Sequence, residues 1–236
     1  MSTQPQSSEM HPGPGFRIRK HITRPPKELV NRYREFDTPD VSDLMNRLYT
    51  MSPEIKNYIN EAKIVGPACT VKVFPGDNLM VHKSLDILEP GDIIVVDAGA
   101  SSMNGIVGDM IANKATHRGA AGFIIDGLIR DLPAMQEVGL PVFARGVTPI
   151  GPLHRGPGEI NFPVSCGGIV VNPGDIICAD PNGVVVVRKE IAEELIERLA
   201  RKSASQKDYI QNVKKGVFSN EWVDRLLDQS NCPFVD

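Results

Sequence analysis

No apolar run in this chain reaches the roughly 18 residues that a membrane-spanning helix needs, because Lys63 and Lys72 interrupt the best candidates. The N-terminus also lacks the apolar core of a secretion signal, so export is not expected. An excess of one charge is missing: 26 Lys and Arg face 29 Asp and Glu, a net charge of −3. That balance gives no electrostatic footprint for nucleic acid or for an anionic membrane. Cysteine is scarce, and Cys69, Cys166, Cys178 and Cys232 never fall at C-x-x-C spacing. A cysteine zinc site is therefore not expected, and reduced, mostly buried thiols in a cytoplasmic protein are. Finally, the strand-like run DIIVVD continues into AGAS, not into a G-x-G-x-x-G loop, which argues against a nucleotide-dependent methyltransferase.

What remains is an ordinary globular composition, 41% hydrophobic and 23% charged, over 236 residues. This is enough for one substantial α/β domain or two small ones. Residues 1–15, polar and rich in Pro and Gly, read as a disordered leader. A first helix is expected over Pro26–Phe36. A second is expected with Thr38 as N-cap, Pro39 at the first helical position, and Val41, Leu44, Met45 and Leu48 on one face. From Ile64 onward short β-type runs dominate. The near copies EPGDIIVVD (89–97) and NPGDIICAD (172–180) reuse one turn-plus-strand device, which makes Asp92 and Asp175 turn residues rather than catalysts. VSCGGIVV, and then NPGDIICAD with PNGVVVV, read as hairpins. A long amphipathic helix from Lys189 to about Lys215 is stopped by Gly216. A short helix through Leu227, capped by Ser219 or Asn220, follows it.

The informative stretch is GDMIANKATHRGAAGFIIDGLIRD, residues 108–131. A helix from about Gly108 to Arg118, stopped at Gly119, lies between the strands DIIVVD and AGFIID. That is a βαβ unit with parallel strands and a right-handed crossover. The helix covers ~16 Å at ~1.5 Å per residue and the returning strand ~20 Å at ~3.3 Å. Gly108-Asp109 and Arg130-Asp131 should therefore meet at the carboxyl ends of the strands, where open α/β sheets bind ligands. The helix start offers free N–H groups from Gly108 to Ile111 to an anion, and glycine lets a ligand approach. Arg130 adds a fork suited to a carboxylate. Asp131, pointing elsewhere, is a candidate for a divalent cation held by one or two carboxylates, water and substrate, the Mg²⁺ pattern. Asp109 is a candidate acid/base. Read singly, Asp109 fits a helix-dipole partner and Arg130-Asp131 a surface ion pair. Their convergence suits a small 2-oxo acid. His82, His117 and His154 lack metal-ligand spacing, His154 in HRGPGE being the best functional candidate of the three, and Lys72, Lys83 and Lys114 carry no Schiff-base signature.

Asp109, twenty residues, then Arg130-Asp131 resembles the D-x20-R-D signature of the RraA-like family. That family includes class II 4-hydroxy-4-methyl-2-oxoglutarate / 4-carboxy-4-hydroxy-2-oxoadipate aldolases and proteins named for regulating ribonuclease activity. GPACTV (66–71), GDIIVVDAG (91–99), AAGFIIDGLIRD (120–131) and PVFARGVTP (141–149) extend the resemblance over residues 38 to 188. The resemblance implies an α-β-β-α sandwich, the swivelling fold of phosphohistidine domains. The domain would span 16–188 and the C-terminal helical arm 189–236, packed on its own domain or on a neighbouring subunit. It implies a homotrimer or homohexamer with sites at subunit interfaces. It also implies pyruvate held by Gly108, Asp109, Met110, Ile111 and Arg130, and Mg²⁺ or Mn²⁺ on Asp131. The activity implied is metal-dependent retro-aldol cleavage and oxaloacetate decarboxylation; the other reading is a non-catalytic regulator that binds an RNA-degrading enzyme. One departure stands out: the acid that the aldolases often carry three residues after the signature Asp is Ala134 here.

Overall fold

The computed structural model describes residues 10–235. In chain order the elements open with β1 (Phe16–Ile18), α1 (Lys27–Arg32), α2 (Thr38–Leu44), β2 (Lys56–Asn57), β3 (Ile64–Val73) and α3 (Leu79–Ser84). Then come β4 (Ile93–Asp97), β5 (Gly105–Val107), α4 (Asp109–His117), β6 (Gly122–Asp126), β7 (Leu128–Ile129), α5 (Leu132–Val138), β8 (Val142–Ala144) and β9 (Gly146–Val147). The remainder is β10 (Gly158–Ile160), β11 (Val164–Cys166), β12 (Ile169–Val171), β13 (Ile176–Asp180), β14 (Gly183–Val187), α6 (Ala192–Lys214) and α7 (Glu221–Gln229). Contacts divide the chain into two compact units, one ending at Ile196 and one beginning at Glu197. Most of the leader expected at 1–15 lies outside the described residues.

The first unit is built on the parallel strands β3, β4, β6 and β8, extended at its edges by β1, β10 and β2. The strands are apolar on both faces, as parallel strands covered on both sides must be. Alternation then divides β4 cleanly. Ile94 and Val96 join Met80, Val81, Ile111, Ala112, Ala115 and Met135 from α3, α4 and α5 on one face. Ile93 and Val95 join Val164, Cys166, Ile177, Val184 and Val186 from the hairpins β11–β12 and β13–β14 on the other. Helices α1 and α2 lie outside the second β layer and beside β3, against β3, β13 and β14. The result is the α-β-β-α layering that the resemblance implied.

The turn acids are structural, and each does more than a turn requires. Asp92 accepts from the N–H of Glu89 at 2.9 Å and from Arg24 at 2.7 and 2.8 Å. Asp175 accepts from the N–H of Asn172 at 2.8 Å and from Arg188 at 2.7 Å. Each duplicated turn thus fixes a distant arginine.

Three helix-level expectations need correcting. Thr38 is the first residue of α2, not its N-cap; Asp37 takes that place without a side-chain cap bond. The Thr38 hydroxyl is instead spent on Asp180, at 2.7 Å, a tertiary bond invisible in local sequence. The helix then ends at Leu44, because Asn46 and Arg47 adopt φ of 57° and 64°, which carries Leu48 out to 72% exposure. The last helix runs through Gln229, two residues beyond expectation.

Asp180 accepts four bonds, from the N–H and hydroxyl of Thr38 and from the N–H and side chain of Asn182. Burial alone would push its carboxyl pKa up, but the bonds from Thr38 and Asn182 outweigh it and hold the group below the ordinary carboxylate range. Asp180→Ala should therefore cost about 2–3 kcal/mol at pH 7. A depressed pKa contributes stability above the unfolded value and loses it as pH falls through the folded one. The gap in urea midpoint between variant and parent should narrow below about pH 4.

Candidate functional site

Between β4 and β6 the chain does not pass directly into a helix. It first forms β5, which pairs in parallel with β7 just beyond β6, and β7 pairs with β9. The Arg130 N–H donates to Val107 O at 3.0 Å, which sets the start of α4 against the end of β7. The residues between are a glycine-relieved contact: a Cβ on Gly108 would run into the Asp131 carboxylate, and one on Gly105 would lie 2.9 Å from Arg130 Cβ.

The six residues expected from sequence, Gly108, Asp109, Met110, Ile111, Arg130 and Asp131, line one cavity of about 240 Å³. Gly108 is the N-cap of α4. Among the described residues the N–H groups of Gly108, Asp109 and Met110 meet no backbone acceptor, whereas the Ile111 N–H donates to Gly108 O at 3.1 Å. The anion-binding start of α4 is thus one donor shorter than expected, because the first turn tightens into an i→i+3 bond. Arg130 reaches the loop at Gly151, where an added Cβ would crowd its Nη1.

Asp131 departs from the expectation that it points away from Arg130. It sits in the left-handed region at φ 57°, and that turn brings its Oδ2 back to accept from Arg130 Nε at 2.8 Å. The bond holds the guanidinium in place and leaves its outer nitrogens for another carboxylate. No three His, Cys, Asp or Glu side chains gather as a metal cage among the described residues. The cavity instead offers the carboxylates of Asp131 and Asp109. One or two carboxylates completed by water and substrate oxygens is a donor set that suits Mg²⁺ or Mn²⁺.

Three further lining residues are His82 and His154, which carried little weight in sequence, and Asn78, which sequence reasoning did not single out. Asn78 is buried and donates from Nδ2 to Ile106 O at 2.9 Å, while its Oδ1 lies 2.7 Å from His154 Nδ1. The His82 and His154 rings meet edge to face, centroids 5.6 Å apart. Burial first, then Lys114 and His154, push the His82 pKa down, so that ring favours its neutral form. His117, by contrast, lies at the far end of α4 and lines no part of the cavity.

An α/β sandwich with an arginine–carboxylate pocket at a helix start, on the carboxyl side of parallel strands, is the class that fold and site define. Within it the Aldolase/RraA model of the RraA-like family matches residues 38–186, and the chain belongs to that family. A Halalkalibacterium halodurans protein named "Putative 4-hydroxy-4-methyl-2-oxoglutarate aldolase" is 38% identical over 177 residues, 75% of this chain and 84% of that one. Streptomyces coelicolor RraAS2, described as an unusual member of the RNase ES inhibitor RraA protein family, matches with a TM-score of 0.72 at 28% identity. That match covers 80% of this chain and 98% of the other. An RraA from Thermus thermophilis, described as an RNA-processing inhibitor, has a TM-score of 0.60 at 30% identity over 64% of this chain and 92% of its own.

The closeness of Gly108 to Asp131 and Arg130 gives a direct test of the site's packing. Gly108→Ala inserts a methyl where a carboxylate stands, and should destabilise the fold by about 1–3 kcal/mol in urea titration, as overpacking does. A neutral Gly108→Ala would mean that Asp131 is free to move.

Proposed function

We propose that this protein is a divalent-metal-dependent lyase. It cleaves 4-hydroxy-2-oxo diacids by a retro-aldol reaction to pyruvate and a second 2-oxo acid, and decarboxylates oxaloacetate through the same pyruvate enolate. The observation that carries the reading is the single cavity uniting the start of α4 with Arg130 and Asp131. The aldolase name borne by a relative 38% identical to the chain supports it.

In this reading the substrate carboxylate lies against the free N–H groups of Gly108, Asp109 and Met110 and the outer nitrogens of Arg130. Both donor sets are fixed before binding, so they cost no reorganisation when charge develops. Cleavage of the C3–C4 bond leaves its electron pair on C3, and Arg130 and the α4 dipole stabilise the enolate that results. Asp109, at the first turn of α4, is placed to govern the proton that returns to C3. Asp131 would hold Mg²⁺ or Mn²⁺, which when bound supplies Lewis-acid stabilisation to the 2-oxo acid's oxygens. Ala134 lies one turn into α5, so that helix brings no acid there to order water around the cation. A homo-oligomer, trimer or hexamer, would let a neighbouring subunit supply one, its arm from residue 189 being the candidate.

Pyruvate release from 4-hydroxy-4-methyl-2-oxoglutarate, coupled to lactate dehydrogenase, tests the reading. Activity should vanish on chelation and return with Mg²⁺ or Mn²⁺, and Arg130→Ala should lower kcat about 10²–10³-fold. Metal-replete protein that releases no pyruvate from this substrate or from oxaloacetate would favour the other reading, a regulator that binds an RNA-degrading enzyme, as the description of RraAS2 suggests for that relative.

A further inference from the structure

Cleavage of a 4-hydroxy-2-oxo acid needs an acceptor for the C4 hydroxyl proton, and in the lyase reading both cavity carboxylates already have a task, Asp131 on Arg130 and the cation and Asp109 on the proton at C3. The Asn78–His154 pair supplies an acceptor whose state is set by its neighbours. Ile106 O can only accept, so Asn78 must present Nδ2 to it and Oδ1 to His154. An amide oxygen can only accept in turn, so His154 Nδ1 carries the hydrogen. In the neutral ring Nε2 is then left with its lone pair on a side chain that lines the cavity.

The loop that carries His154 is stitched down on both sides. The Gly105 N–H donates to Ile150 O at 2.8 Å and Asn104 Nδ2 to Gly151 O at 2.6 Å. The Leu153 N–H donates to Gly76 O at 2.8 Å, the Asn78 N–H to Leu153 O at 3.0 Å, and the Arg155 N–H to Asp77 Oδ2 at 2.6 Å. Beside it, burial first pushes the His82 pKa down, which disfavours a cationic imidazole against His154.

Resting on the lyase reading, we propose that His154 is the general base of the retro-aldol step, and that Asn78 is the positioning residue that fixes its tautomer. The C4 hydroxyl O–H breaks and its proton passes to Nε2. The C4–O bond becomes a carbonyl as the C3–C4 bond breaks, and the electron pair of that bond goes to C3 as the enolate. The proton then leaves Nε2 to solvent or to C3, which restores the neutral ring. Oxaloacetate decarboxylation has no hydroxyl proton to remove, since CO₂ departs from a carboxylate that is already ionised. The two reactions should therefore depend on His154 to different degrees.

The test compares both activities in the full-length, metal-replete protein and in His154→Gln and His154→Ala. The ratio of aldol cleavage to decarboxylation should fall by about 10²-fold or more in His154→Gln, the size of a general-base contribution. Added imidazole should restore part of the aldol cleavage of His154→Ala. Equal loss of both activities in His154→Gln, or an unchanged ratio, overturns the assignment while leaving the lyase reading standing. A parent protein inactive on both substrates sinks the lyase reading and this assignment together.

Discussion

The site depends on one pairing, the short parallel ladder between β5 and β7. Strands β4 and β6 build the sheet, but they end at Asp97 and Asp126, short of the residues that line the cavity. It is the bond from Arg130 N–H to Val107 O that draws the start of α4 and the end of β7 to one point. Backbones this close leave no room for side chains, which is why Gly105 and Gly108 face Arg130 and Asp131. The helix is anchored by Ile111, Ala112 and Ala115, buried against the sheet. Fully burying a side chain such as Ile111 is worth roughly 1.5–3 kcal/mol, so the N–H groups of the first turn are held on a fixed frame.

Two other carboxylates at the same sheet edge, Asp97 and Asp126, sit side by side in register on β4 and β6. Buried acids there would ordinarily invite a catalytic reading. Their partners decide otherwise. Asp126 binds Arg145 and accepts from the Gly167 N–H at 2.8 Å, and Asp97 accepts from the N–H groups of Gly99 and Ser165. Gly167 and Ser165 belong to the β11–β12 hairpin, so these acids pin the second β layer onto the parallel sheet. Asp109 and Asp131, by contrast, line the cavity at the start of α4.

Much of this was legible in residues 108–131. The spacing of helix and returning strand foretold that Gly108-Asp109 and Arg130-Asp131 would meet, and the blocks around them pointed to the right family. The ladder that achieves the meeting was not legible, because β5 and β7 are three and two residues long and too short to show a period. The fold of Asp131 back onto Arg130 was hidden for a different reason. A positive φ at an aspartate leaves no mark in sequence, whereas Gly119 and Gly216 announced theirs. The misplaced cap at Thr38 shows the same limit: a partner 142 residues away outbid the local rule.

His154 was hardest to judge from sequence, since an isolated histidine in a Pro/Gly-rich loop has no periodic context. What gives it meaning is a chain of fixed donors and acceptors that begins at a backbone carbonyl, Ile106 O, on the strand that leads into Gly108. The same strand thus orients both ends of the cavity. Its terminal carbonyl, Val107 O, holds Arg130, and the carbonyl before it holds Asn78 and through it the ring of His154. In the proposed reaction, a group that accepts a proton and a group that stabilises the resulting negative charge work together only at a fixed separation. Hanging both on adjacent peptide units of β5 is a way to fix that separation without relying on the loops themselves.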